Sequence, residues 1–236
     1  MEEPKDGRRK VPVHVGLIMD GNRRWARERN LPTLEGHLKG YNKLQHVPDW
    51  FFLRGVKVLS VYAFSTENWN REKKEVDYLM NLLARAIEDD LDEFHRKGYK
   101  LIFSGRIDEL PGKLPELCEN AAQKTKSNGS GTINICLNYG GRPELLDAVK
   151  KIVKNQLTEE QIHEGIIRKY LYHGELPDPD IIVRTSGEER ISGFLLWQAA
   201  YSEFLFLKKY WPDFEEMDVI NIIDEYNKRE RRFGGN

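Results

Sequence analysis

Short runs of apolar and β-branched residues recur along the chain at 14–19, 57–64, 100–105, 132–138, 180–184 and 203–208. Each has the length of a strand, and several are apolar throughout, as strands covered on both faces are. Between them, apolar residues spaced three and four apart predict helices over 22–30, 37–54, 72–97, 113–127, 142–154, 159–171 and 215–232. Regular alternation of this kind predicts an α/β fold with one central, mostly parallel six-stranded sheet flanked by helices. Pro177-Asp178-Pro179 marks a turn before the fifth strand, and Ser127-Asn128-Gly129-Ser130-Gly131 a loop before the fourth. Neither reads as a domain boundary, and no repeat or low-complexity tract interrupts the pattern. Residues 13–236 are therefore expected to form a single domain after a charged, flexible segment at 1–12.

Composition narrows the class. With 236 residues, 39% hydrophobic and 11% aromatic, the chain can bury a substantial core. The formal net charge of -1 provides no global basic field, so nucleic acid is not an expected partner and phosphate binding must come from local clusters. Cys118 and Cys136 have neither disulfide-framework nor metal-ligand spacing and read as packed thiols of a reducing compartment. The amino-terminal residues lack an apolar signal segment, and no apolar run reaches membrane-spanning length. A cytoplasmic protein with at most peripheral membrane contact is expected.

In open α/β sheets the ligand crevice lies beyond the carboxyl ends of the strands. The first strand runs into Asp20-Gly21-Asn22-Arg23-Arg24-Trp25, one acid, a glycine turn and two arginines. A hard cation on Asp20 with phosphate oxygens on Arg24 and the exposed amides fits that set, although such turns also occur as plain loops. The second strand ends in Ser65-Thr66-Glu67-Asn68-Trp69-Asn70-Arg71, and the fifth in Arg184-Thr185-Ser186-Gly187 followed by Arg190-Ile191-Ser192. Any one of these arginines alone reads as a solvated surface residue; their shared position at strand ends points to a site. Glu203 is expected to join the same rim as a second acid. Together these residues suit two phosphate-bearing ligands and one divalent cation, and the neighbouring aromatics Trp25, Tyr62, Phe64, Trp69 and Trp197 suggest a ligand with an apolar body.

The residues 14–26, Gly36-His37, Tyr62 to Arg71, Asn138-Tyr139-Gly140-Gly141-Arg142, Arg184 to Trp197 and Arg231-Arg232-Phe233-Gly234-Gly235 together resemble the cis-prenyltransferases, the polyprenyl diphosphate synthases typified by undecaprenyl diphosphate synthase. The resemblance covers nearly the whole chain. It implies magnesium-dependent, sequential condensation of isopentenyl diphosphate with an allylic diphosphate, farnesyl or geranylgeranyl diphosphate, to a long-chain product such as undecaprenyl diphosphate. It implies that Asp20 is the essential metal-side acid, that Gly21, Asn22, Arg23, Arg24, Trp25 and His37 surround the allylic diphosphate, and that Ser65, Thr66, Glu67, Trp69 and Arg71 line the reaction centre. Asn68 then assists proton removal, Arg184, Arg190, Ile191 and Ser192 hold isopentenyl diphosphate, and Glu203 is the second magnesium ligand. A homodimer follows as well, with Arg232-Phe233-Gly234 reaching across it.

Two departures stand out. Thr33 occupies a position where many bacterial relatives carry arginine, and Arg23 one where they often carry glycine, so Arg23 is expected to substitute in part for the missing charge. The growing chain is expected to enter an apolar tunnel between the sheet and helices 37–54 and 72–97, with Ala63 at its mouth. Leu83, Ala84, Ile87, Ile135 and Leu137 are either its lining or ordinary core. The acidic run Glu88-Asp89-Asp90-Leu91-Asp92-Glu93 reads as a solvated helix face, and His46, His95, His163 and His173 pair in no ligand pattern. Two rivals remain: a phosphatase with Asp20 as nucleophile, which lacks the usual second acid because position 22 is asparagine, and a non-catalytic partner subunit, which would be expected to have lost residues that are all present here.

Overall fold

The computed structural model describes residues 10–229. In chain order the elements are β1 (His14–Ile18), α1 (Asn22–Glu28), α2 (Thr33–Leu44), α3 (Val47–Phe52), β2 (Val58–Ser65), α4 (Lys73–Arg96), β3 (Tyr99–Ser104) and α5 (Leu114–Thr125). They continue with β4 (Gly131–Tyr139), α6 (Gly141–Lys154), α7 (Glu164–Tyr170), β5 (Ile181–Arg184), β6 (Glu203–Phe206) and α8 (Glu216–Asn227). The strands form one sheet in the order β3-β4-β2-β1-β5-β6, with every pair parallel. The expected α/β architecture is thus observed, as a single domain and with a sheet that is parallel throughout.

Successive side chains of a strand point to opposite faces, and the core divides accordingly. Val15 and Leu17 of β1, Leu59 and Val61 of β2 and Ile181 and Val183 of β5 pack with Val47 and Phe51 of α3 and Val219, Ile222 and Ile223 of α8. On the same side, α4 and α5 cover β3 and β4 through Met80, Ile87, Cys118 and Ala121 against Leu101 and Ile133. The opposite face carries Ile18, Cys136 and Ile182 beneath Phe194 and Leu195. It also buries a polar row: His14 Nε2 lies 2.8 Å from Ser60 Oγ, Asn134 Nδ2 donates to Ser60 Oγ at 3.0 Å, and Ser104 Oγ donates to Asn134 Oδ1 at 2.7 Å. Both cysteines are free and buried.

The helix expected over 37–54 is two helices. It starts earlier, at Thr33 directly after Pro32, and breaks at Gln45-His46, where Pro48 in the first turn of α3 begins a new segment. The stretch 159–171 likewise divides into a 3-10 turn at Glu159–Gln161 and the short α7. Of the segment expected to be flexible, residues 10–12 are described, and there Val11 packs against the core while the Lys10 amide donates to Asn227 Oδ1 at 2.6 Å. The Arg231 to Gly235 motif lies outside the described residues.

Candidate active site

The carboxyl ends of β1, β2, β4 and β5 surround a crevice, and Asp20 stands at its centre. Its backbone is held independently of its side chain. Thr185 Oγ1 donates to Asp20 O at 2.7 Å and accepts from Asp20 N at 2.9 Å, and Trp211 N donates to Asp20 O at 3.0 Å. The next residue, Gly21, has φ of 106°, a left-handed conformation that glycine adopts without steric cost, and a Cβ there would lie 2.6 Å from the Tyr210 ring. The turn delivers α1 with Arg24 one helical turn beyond Asp20. Helix α2 then packs closely on α1, because a Cβ at Gly36 would lie 2.1 Å from Asn22 O, and one at Gly40 2.5 Å from Asn22 Oδ1.

The Asp20 carboxylate lies 2.8 Å from Arg184 Nη2 and 3.0 Å from Arg24 Nη2. Burial pushes this carboxyl up, but hydrogen bonds from Arg184 and Ser186 and the charges of Arg184 and Arg24 outweigh it and hold the group below the ordinary carboxylate value. Asp20 is therefore ionised at neutral pH. Arg184 is buried and also donates to Ser192 Oγ at 3.0 Å, which secures the loop after β5. Arg24 donates to Ser186 Oγ at 2.7 Å and to Glu188 Oε1 at 2.6 Å, and Glu188 also pairs with Arg190.

Across the crevice, buried Glu75 at the start of α4 joins three cleft residues. It accepts from Arg71 Nη1 at 3.1 Å, lies 3.1 Å from His37 Nε2, and has Arg23 Nε 3.9 Å away. Burial lowers the His37 pKa, the Glu75 hydrogen bond opposing it, and His37 is neutral near pH 7. Neither Glu75 nor Glu188 was singled out from sequence. For Glu75 a signal existed, its i,i+4 spacing from Arg71.

Two polar clefts, of about 840 Å³ and 600 Å³, meet at Asp20, Asn22, His37 and Arg71. The first is lined further by Gly21, Arg23, Arg24, Thr33 and Arg190, the second by Ser65, Glu67, Asn68, Arg184 and Ser192. From their junction at Asn22 and His37 an apolar cavity runs between the sheet and helices α2 and α4, past Ala63, Leu83, Ile87, Ile135 and Leu137. Ala84 belongs to the packed core instead. Asn68 Oδ1 accepts from Ser65 N at 3.1 Å, capping the 3-10 turn at Thr66–Asn70, so the amide NH₂ is the part of Asn68 left for a ligand. Thr66 Oγ1 donates to Glu67 Oε1 at 3.2 Å.

Five expected site residues, Trp25, Thr66, Trp69, Ile191 and Glu203, lie outside the linings of the two clefts. The Trp25 indole donates to Asp213 Oδ1 at 2.7 Å and stacks under Arg29, and Trp69 Nε1 donates to Asn138 Oδ1 at 2.7 Å, bracing the loop after β2. Ile191 packs against the core on the far face of the sheet. Glu203 corrects an expectation, because it opens β6 opposite Ile181, whereas Arg184 beside Asp20 closes β5. The first residue of a parallel strand sits at the amino end of the sheet, so roughly 10 Å of strand separates Glu203 from the rim. Glu203 instead receives Arg229 Nη1 at 2.7 Å, and the pair Asp20 and Glu203 does not converge within one chain.

Among the described residues no cluster of three or more His, Cys, Asp or Glu side chains converges as a metal cage. One ionised carboxylate and the buried, unpartnered Asn22 Oδ1 are the hard oxygens at the junction. That donor set fits a magnesium ion held by one carboxylate and substrate phosphates rather than by a full protein cage.

Comparison with known proteins agrees with this arrangement. A family model described as "Putative undecaprenyl diphosphate synthase" matches residues 18–234. An isoprenyl transferase of Thermotoga maritima is 46% identical over 228 residues, covering 96% of this chain and 98% of the relative. A geranylgeranyl-diphosphate-specific tritrans,polycis-undecaprenyl-diphosphate synthase of Pyrococcus furiosus is 46% identical over 230 residues, covering 95% and 87%. The crystal structure of lavandulyl diphosphate synthase from Lavandula x intermedia, in complex with dimethylallyl diphosphate, superposes with a TM-score of 0.91 at 32% identity and covers 95% of this chain and 98% of that one. On sequence, fold and cleft together, the chain belongs to the cis-prenyltransferases, the undecaprenyl diphosphate synthase family of prenyl-transferring enzymes.

Proposed function

We propose that the protein condenses isopentenyl diphosphate repeatedly onto an allylic diphosphate of fifteen or twenty carbons, with magnesium, to a long cis-polyprenyl diphosphate. The observation that carries this reading is the junction itself, where two arginine-lined clefts that share Asp20 meet an apolar cavity at Asn22 and His37. The allylic diphosphate takes the cleft of Arg23, Arg24 and Arg71, with its tail directed past Ala63. Isopentenyl diphosphate takes the cleft of Arg184, Ser192 and Asn68. Magnesium, when bound at Asp20, supplies charge stabilisation for the departing diphosphate.

The arginines stabilise the same developing charge as the allylic C–O bond breaks and its electron pair leaves with the diphosphate. The isopentenyl π electrons form the new C–C bond, and a proton is lost from the adjacent carbon. Asn68 offers its NH₂ to orient that substrate, and the released diphosphate is a stronger base than the amide. Arg23, with its side chain 61% exposed and reaching over the same cleft as Thr33, supports its expected compensating role.

A homodimer is part of this reading. Leu146, Val149 and Val153 form an exposed apolar stripe along α6, the helix whose first residue, Gly141, packs against Leu196. Placing glutamates at Leu146 and Val149 is expected to convert a dimer to monomers in analytical ultracentrifugation without loss of secondary structure. No helix among the described residues is long and apolar enough to cross a membrane, so product transfer to a bilayer is proposed to be peripheral.

The decisive experiment incubates the protein with magnesium, labelled isopentenyl diphosphate and, separately, farnesyl and geranylgeranyl diphosphate, and resolves products by length. A ladder ending at a defined length is expected. Absence of incorporation with either primer would favour a non-catalytic partner subunit.

A further inference from the structure

The acidic run 88–93 on α4 is not uniformly solvated. Glu88 pairs with Lys113, Asp92 with Lys124 and Glu93 with Lys97, all on the outer face. Asp90 turns inward and lines the apolar cavity. There it receives Tyr41 Oη from α2 at 2.9 Å and Gln45 Nε2 from the residue that caps α2 at 2.8 Å, and Gln45 Nε2 also lies 3.2 Å from Tyr41 Oη. Burial raises the Asp90 carboxyl above its ordinary value, with the Gln45 and Tyr41 hydrogen bonds pulling the other way. A carboxylate in the wall of an otherwise apolar cavity carries a desolvation cost that a structural core position does not require.

The position along the cavity is informative. Leu79 is shared between the polar cleft and the apolar cavity, and from there the lining steps along α4 through Leu83 and Ile87 to Asp90, roughly 16 Å of helix. The cavity volume is about 140 Å³. An apolar cavity of about 150 Å³ accepts a molecule the size of benzene, so this space holds only a short stretch of prenyl chain. The Tyr41–Gln45–Asp90 tie joins the carboxyl end of α2 to α4 in the wall of this cavity.

Resting on the synthase reading above, we infer that this tie determines where elongation stops, and that Asp90 is a specificity-determining residue for product length. A chain that reaches Asp90 must strip a carboxylate of its two partners and leave it against hydrocarbon, while the same tie restrains the helices from opening. Shorter chains never meet it. The tie therefore acts on late condensations and leaves the first one unaffected.

The test compares product lengths made by the full-length protein, Asp90→Ala and Tyr41→Phe from the same primer at matched isopentenyl diphosphate. Asp90→Ala is expected to shift the main product upward by at least one C5 unit, and Tyr41→Phe, which removes one hydrogen bond and keeps the ring, to shift it less in the same direction. The rate of the first condensation is expected to stay within about twofold, a split that a loss of general stability would not produce. Folded variants with an unchanged or shorter product overturn the inference while leaving the synthase reading intact. If Asp90→Ala does not fold, Tyr41→Phe decides alone. Failure of the unaltered protein to condense either substrate overturns the synthase reading and the inference together.

Discussion

Two polar clusters lie on this sheet, and they are built on opposite principles. The row His14, Ser60, Asn134 and Ser104 is buried, neutral and fully hydrogen-bonded. His14 Nδ1 lies 2.7 Å from Pro177 O, which can only accept, so Nδ1 carries the proton and Nε2 accepts from Ser60. The cluster of Asp20, Arg24, Arg184 and Glu188 at the carboxyl rim is charged and, Arg184 apart, open to solvent. A neutral row with every group satisfied fixes the strands against one another. A charged cluster whose partners can be exchanged for phosphate oxygens and a cation is poised to bind. Stability and binding are thus assigned to different parts of one sheet, its buried face and its carboxyl rim.

The sharpest break of this contrast is Asp20→Asn. Because Thr185 and Trp211 hold the backbone of residue 20, the variant should still fold, with a melting temperature lowered only by the loss of charge opposite Arg184, whereas condensation should fall roughly a thousandfold, about 4 kcal/mol of transition-state stabilisation. Activity close to normal in the folded variant would remove Asp20 from the mechanism.

Next comes acid sensitivity. Burial lowers the His14 pKa from 6.5 to about 4, a group that folding keeps neutral. Its contribution is present in full above pH 6.5 and is lost as the pH falls toward 4, on the order of 3 kcal/mol. Asp20 also has a lowered value in the folded protein, so its contribution is present above 3.8 and disappears only below it. Chemical denaturation between pH 6.5 and 4 should therefore report on the buried row, and the slope should flatten in His14→Gln. A slope unchanged by that substitution would place the acid sensitivity elsewhere.

The smallest effect sharpens the comparison within the rim. Glu75→Gln keeps a hydrogen-bond acceptor for Arg71 and His37 but removes the charge that orients them. A several-fold rise in KM for the allylic diphosphate with kcat nearly constant is expected, about 1 kcal/mol of binding. A fall in kcat alone would mean that Glu75 acts on the reaction step instead.

How far the sequence could be read follows from which physics is local. Strand runs announce themselves by composition, and all six were found, with β6 shorter than expected because Leu207 and Lys208 leave the sheet. Asp20 and Arg184 were readable because residues that follow parallel strands share one rim. Glu203 goes against that same rule, since it is the first residue of its strand. Glu75 and Asp90 were hidden for another reason: each sits in a charged helical stretch, and only helix rotation against α2 decides which acids turn inward. The division of 37–54 into α2 and α3 was signalled by Pro48, whereas the roles of Trp25 and Trp69 as braces depend on partners far away in sequence.

The junction at Asn22 and His37 has a pharmacological consequence. Three differently lined chambers open from one point, two cationic and one greasy, so a compound with a single anionic head and a branched aromatic body can occupy parts of all three without copying either proposed substrate. Potency in such a series should follow how well the body fills the narrow chamber beside α4. Resistance substitutions should then collect along that helix, away from Asp20 and the arginines of the two clefts.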